Sequence, residues 1–221
     1  MIPTGLLIEA GWATLFFVWI IIVVRFISKK FHDWIVASNP KNVAVYYTRK
    51  LIHVLAGGLV AVAVPFFFTS PWIPFVSAMI LALLTYIPHR TGQLMDWFQT
   101  PDNIYEVHFC ITWGIAMLLA WYIFGNFWYG VVPVSFMAFG DAVTGVVRNA
   151  IYKRRTKAWI GNVAMAAVCV PVGYLVTGIP GAVAGALVSI IEHFEFGPLD
   201  DNVTVPLTAL AVLILAKGLG L

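Results

Sequence analysis

Eight apolar runs, at about 6–27, 52–69, 71–88, 109–124, 127–147, 159–177, 179–191 and 203–220, dominate this 221-residue chain. A membrane crossing takes about 20 apolar residues, within a range of roughly 17–25, so eight crossings use most of the length. The chain is 61% hydrophobic and only 10% charged, whereas soluble domains carry roughly 25% charged residues. The expected fold is all-α: a polytopic integral membrane protein of about eight transmembrane helices, a single domain over 1–221. The first run, GLLIEAGWATLFFVWIIIVV, lacks a preceding basic stretch and exceeds a signal-peptide core, so it reads as a retained helix.

Numbering the runs in order puts the loops after the first, third, fifth and seventh on one face. Those loops and their margins hold Lys29, Lys30, Lys41, Arg49, Lys50, Arg90, Arg148, Lys153, Arg154, Arg155 and Lys157. They also hold nearly all the acids: Asp33, Asp96, Asp102, Glu106, Asp141, Asp200 and Asp201. The other face receives short turns at Ser70-Pro71, Gly125-Asn126 and Gly178-Ile179-Pro180, with Glu9 and Lys217 near the termini. By the positive-inside rule the charged face, and an active site on it, is cytoplasmic. A net charge of +3 beside a bilayer attracts anionic headgroups and phosphates, and does not argue for nucleic acid.

Smaller features add detail. Arg25, Lys29 and Lys30 are expected to close the first helix, and 89–108 is either an interfacial helix or a lid, with Trp97 and Phe98 at the interface. Cys110 and Cys169 have no metal-type spacing and read as two small buried residues. Gly181 and Gly185 form a GxxxG pair suited to close helix packing, which leaves a homodimer open. The chain shows no internal repeat or paired broken helices, which counts against a transporter built on inverted repeats.

Four constellations carry chemistry. Asp141, between Gly140 and Gly145 near the end of an apolar helix, is costly in lipid and marks a functional site; the two glycines leave room for phosphates or for close packing. The basic run Arg148, Lys153, Arg154, Arg155, Lys157 leads into Trp159-Ile160-Gly161-Asn162. A cationic loop feeding a helix start suits an anion. Lys157 is read as a phosphate contact, and Lys153, Arg154 and Arg155 as a topology signal. Asp200, Asp201 and Asn202 at another helix start can hold Mg²⁺, which takes one or two carboxylates plus waters and phosphates; capping by Asp201 or Asn202 is the plainer use. Arg49 and Lys50 can clamp a phosphoanion, and His53 is either a proton carrier or a hydrogen-bonded helix residue. His89, Arg90, Glu106 and His108 form a looser polar set of open role.

Three blocks resemble the polyprenol kinases, the group of dolichol kinase, phytol kinase and the CTP-dependent diacylglycerol kinase. They are RKLIHVLAGG at 49–58, FGDAVTGVVRN at 139–149 followed by KAWIGNVAM at 157–165, and DDNVTVPL at 200–207. They keep the family's order and span a catalytic core of about 45–210. One position departs: many members carry Glu before the nucleotide-loop glycine, where this chain has Ile160, so another acid must substitute or the chemistry differs.

The resemblance implies a lipid-alcohol kinase that moves the γ-phosphate of CTP to a polyprenol-type or diacylglycerol hydroxyl, with Mg²⁺ as cofactor. Asp141, Lys50 and Asp201 would be catalytic, and Asp141, Asp200 and Asp201 would hold the metal. Arg49, Lys50, Gly140, Gly145, Arg148, Lys157, Gly161, Asn162 and Asn202 would bind the nucleotide. A CTP-dependent cytidylyltransferase making a CDP-lipid shares the donor and geometry. A transporter predicts ionisable groups at mid-membrane or on both faces.

Overall fold

The computed structural model describes residues 4–153, 156–194, 196–197 and 199–221; Arg154 and Arg155 of the basic run and Pro198 lie outside them. All named elements are helices: α1 Thr4–Val36, α2 Lys41–Phe67, α3 Trp72–Thr91, α4 Tyr105–Phe124, α5 Trp128–Tyr152, α6 Trp159–Thr177, α7 Ile179–Ile191 and α8 Asp201–Gly218. Seven are long and apolar enough to cross a membrane. The exception is α7. Its 13 residues rise only about 20 Å at 1.5 Å each, shorter than a hydrocarbon core about 30 Å thick, although it returns the chain to the end where α6 began.

Two helices exceed their apolar runs. α1 passes through Arg25, Lys29 and Lys30 without a break, and α2 begins at Lys41, well before its apolar run. No proline or glycine lies between Ala13 and Val36, so charge alone ends the run but not the helix. The interior of α1 is a π turn, Val23–Ile27; α2 has one at His53–Gly58 and α5 one at Phe136–Gly140. A π turn disturbs the i→i−4 ladder, and indole N–H groups meet carbonyls in two of them. Trp97 donates to the Val24 carbonyl (3.0 Å), Trp19 to Leu55 (2.9 Å) and Trp113 to Gly57 (3.1 Å).

α5 is the central helix. Val132, Val134, Phe136, Met137 and Ala138 are buried together with Met117 of α4, Met165 and Cys169 of α6 and Leu213 of α8. Gly58 of α2 lies against the Phe139 ring, and Gly140 against Cys169 and Met165. The π turns of α2 and α5 thus pack face to face, which carries Lys50 and Asp141, just outside them, to the same spot. Gly181 and Gly185 of α7 lie against Gly173 and Cys169 of α6, so the GxxxG pair is used within the chain. Both cysteines are free.

Segment 92–104 is not the interfacial helix that was one of its two expected forms. α3 ends at Gly92, in the left-handed region at φ 73°, and α4 starts at Tyr105. Between them Phe98 and Gln99 are each 2% exposed, so Phe98 points inward and not at an interface. Gln99 donates to the Thr85 carbonyl (2.8 Å), and Arg49 donates to the Phe98 carbonyl (2.5 Å) and Thr100 Oγ1 (2.9 Å). The segment is fastened down.

Candidate active site

The loops after α1, α3, α5 and α7 meet at one end of the bundle around a polar cavity of about 990 Å³. Arg49, Lys50, Asp141, Arg148, Lys157, Asp200, Asp201 and Asn202 all line it. Residues scattered over more than 150 positions are gathered because alternate loops return to the same end.

At its base Lys50 Nζ donates to Asp141 Oδ2, both side chains nearly buried, and the ammonium stands 5.1 Å from the Tyr46 ring centroid. Gly145 lies against the Tyr46 hydroxyl, so its missing side chain lets α2 and α5 close around this pair. Glu192, the first residue beyond α7, and Asp201, the first of α8, complete an acidic group. One carboxylate oxygen each from Asp141, Glu192 and Asp201 lies within 4.8 Å of the others.

Lys157 is shared. Its Nζ donates to Glu192 Oε1 (2.9 Å), the Glu192 carbonyl (2.6 Å) and Asp201 Oδ2 (3.0 Å). Burial alone would lower its pKa, but the carboxylates of Asp201 and Glu192 outweigh burial and hold the ammonium above its ordinary value. Three carboxylates thus face the cations of Lys50, Lys157 and Arg148.

Arg148 differs from the lysines. Nη1 and Nη2 donate to Glu192 Oε1 and Oε2 (both 2.8 Å), Nη2 also to Asn162 Oδ1 (2.8 Å), and Nε to the Ala158 carbonyl (3.0 Å). Four of the five guanidinium N–H groups are committed to protein acceptors, so Arg148 orients Glu192. Gly161 lies against the Arg148 side chain, and Asn162 donates to the Ser189 carbonyl (2.6 Å) and Glu192 Oε2 (3.1 Å). Gly140, Gly145, Gly161 and Asn162, expected at the nucleotide, are packing and support residues, and none lines the cavity.

Asp200 also moves out of its expected role. Oδ1 accepts the Asn202 backbone N–H (2.9 Å) as the N-cap of α8, and Oδ2 accepts from His108 Nδ1 (2.8 Å). Burial raises the Asp200 carboxyl above the usual carboxylate range, against the lowering pull of His108. The plain capping role, expected of Asp201 or Asn202, belongs to Asp200. Asn202 donates to the Tyr105 carbonyl (3.1 Å) and keeps a buried, unpartnered Oδ1.

The metal set that fits is therefore Asp141, Glu192 and Asp201. Three hard carboxylate donors converging on a cavity roomy enough for phosphates are the chemistry Mg²⁺ selects. Ile160 is 42% exposed on α6, while Glu192 is 2% exposed beside Lys157, so Glu192 is an acid close to the nucleotide loop of the resemblance. Its sequence signal was an acid directly after an apolar run, whereas Asp141 lies within one.

A second cavity, apolar and about 360 Å³, lies between α1, α2, α3 and α4, lined by Phe16, Ile20, Val60, Phe109 and Trp113 among others. His53 lines both cavities. It stacks on Phe109 with centroids 4.2 Å apart, and its Nδ1 is buried without a partner, so it is not the hydrogen-bonded helix residue that was one of its two expected readings. Comparison with protein-family models, curated proteins and solved structures returns no match.

Proposed function

We propose that this protein is a membrane-embedded lipid-alcohol kinase that uses a nucleoside triphosphate, CTP by the resemblance above, at the cytoplasmic membrane face. The observation that carries the reading is the meeting of two unlike cavities at His53, a charged one of about 990 Å³ and an apolar one of about 360 Å³. A triphosphate suits the first and a lipid chain the second, and the reacting atoms meet at their common wall.

Phosphoryl transfer depends on positioning and charge neutralisation more than on covalent help. Asp141, Glu192 and Asp201 would hold Mg²⁺, which would supply positive charge against the negative charge of the phosphates. Lys50 and Lys157 are the cations that would turn to the phosphates. Arg49, beside Thr100 and the Tyr105 ring (5.5 Å), closes the outer side of the cavity. The lipid hydroxyl oxygen bonds to the γ-phosphorus, the β–γ bridging bond breaks, and the hydroxyl proton is released with the nucleoside diphosphate.

The test incubates purified protein with Mg²⁺, a polyprenol or diacylglycerol, and CTP labelled separately at the γ- and α-phosphates. Label passing from the γ-phosphate to lipid, with CDP released, is the expected result. Transfer of the α-label with pyrophosphate release would replace the kinase by a cytidylyltransferase, and no transfer from any donor would overturn both.

A further inference from the structure

The apolar cavity contains one carboxylate that the chemistry above does not use. Glu106, in the first turn of α4, is 8% exposed and lines that cavity. Its Oε1 is fixed, bonded to His89 Nε2 at 2.6 Å and accepting from Gln99 Nε2 at 2.7 Å. Gln99 is itself fixed by the Thr85 carbonyl and the Met95 N–H. Glu106 Oε2 is buried and has no hydrogen-bond partner among the described residues. A buried acceptor left unmade costs free energy, and here it stands in a mostly aromatic and aliphatic wall whose other polar members are Arg25, His53, Ser77 and Thr85. Phe109 follows Glu106 by three positions, so the two share a helix face, and Phe109 carries the stacked His53. Glu106 and the stacked His53–Phe109 pair thus line the same cavity, and His53 also lines the charged one.

We propose that Glu106 is the specificity-determining residue for the lipid, its Oε2 accepting a hydrogen bond from the hydroxyl of an aliphatic alcohol whose chain fills the apolar cavity. An acceptor-only carbonyl would face a bare carboxylate oxygen there, and an alkane would leave it unpaired. Sites built to hydrogen-bond a hydroxyl reject analogues that lack the donor. The inference rests on the kinase reading only in making this hydroxyl the phosphoryl acceptor; the binding itself requires no nucleotide.

Equilibrium binding of tritiated palmityl alcohol to the full chain in lipid nanodiscs, with competition by the matching methyl ketone and alkane, tests it. The wild type should prefer the alcohol over either competitor by about tenfold or more. Glu106→Gln keeps an oxygen for His89 and Gln99 but presents an N–H₂ to the cavity, so the preference over the ketone should vanish or invert. A wild type that binds ketone or alkane as well as alcohol overturns the inference without any variant, as does an unchanged ratio in Glu106→Gln. Alcohol selectivity that depends on Glu106, in a protein that transfers no phosphate, would sustain this inference and remove the kinase reading.

Discussion

The Arg148–Glu192 and Lys157–Asp201 ion pairs lie side by side, joined through Glu192, yet they are built differently. Arg148 and Glu192 are 6% and 2% exposed, bidentate, and enclosed by Asn162, Ala158 and Gly161. Lys157 and Asp201 are 23% and 30% exposed at the cavity rim and meet through a single contact of 3.0 Å. The first is held by four hydrogen bonds from Arg148 and is shut away from the cavity rim. The second joins a flexible ammonium to an acid of the proposed metal set, and such a pair can part when a ligand arrives. Charge in a membrane bundle is thus of two kinds, one holding the scaffold and one poised for exchange.

The largest effect should come from breaking the enclosed pair. Arg148→Met strips the buried Glu192 of its bidentate partner and leaves it only Lys157 and Asn162, a loss that approaches the roughly 3–5 kcal/mol of a broken buried pair. Unfolding of the variant in detergent should show that loss, and unchanged stability would erase the distinction. Asp141→Asn comes next. It keeps the hydrogen bond to Lys50 but removes the countercharge of a nearly buried ammonium, so stability should fall by about 1–3 kcal/mol. Phosphoryl transfer should be abolished. Full activity would exclude Asp141 from the mechanism.

Lys157→Ala should be milder than Arg148→Met. The half-open contact of Lys157 with Asp201 contributes about 1 kcal/mol or less, but Lys157 also bonds the buried Glu192. Stability should therefore fall, by less than in Arg148→Met, because Arg148 and Asn162 still hold that carboxylate. Nucleotide affinity should fall by about tenfold, the worth of one hydrogen bond to a charged group, with lipid binding unaffected. Isothermal titration with CTP in the presence of Mg²⁺ measures it, and an unaltered affinity would assign Lys157 to the scaffold.

Much of this was legible in sequence for a simple reason. Apolar runs answer to length and hydropathy, which are local, so seven of the eight runs correspond to helices long enough to cross a membrane. The shared end of the odd-numbered loops followed from counting. Helix ends were less legible: α1 continues past Lys29 and Lys30, because a helix outlasts its apolar stretch until a breaker such as Pro40 arrives. Roles within the site were least legible, since a cation's partner is decided by packing. Lys50 and Asp141 are 91 positions apart, and nothing in the string says that Arg148 is enclosed while Lys157 stands at the cavity rim. Glycines misled in one direction. Gly140, Gly145 and Gly161 stood inside motifs that suggested phosphate, but each makes room for a neighbouring side chain.

Asp200 and Asp201 give the smallest effect and the sharpest separation, being adjacent in sequence with only Asp201 in the acidic trio. Asp200→Asn should retain the cap, because Asn and Asp are equivalent N-caps, whereas Asp200→Ala should cost about 1 kcal/mol. Neither should impair metal-dependent turnover as Asp201→Asn would; loss of turnover in Asp200→Asn at full stability would return Asp200 to the metal set. Acid titration adds a second check. Burial raises the folded pKa of Asp200 above its unfolded value, so its contribution to stability is complete below the unfolded pKa. That contribution is lost as pH rises through the folded pKa. Stability of the wild type measured upward from strongly acidic pH should carry this decline and Asp200→Asn should lack it. The difference isolates one buried carboxyl that caps a helix from its neighbour that faces the cavity.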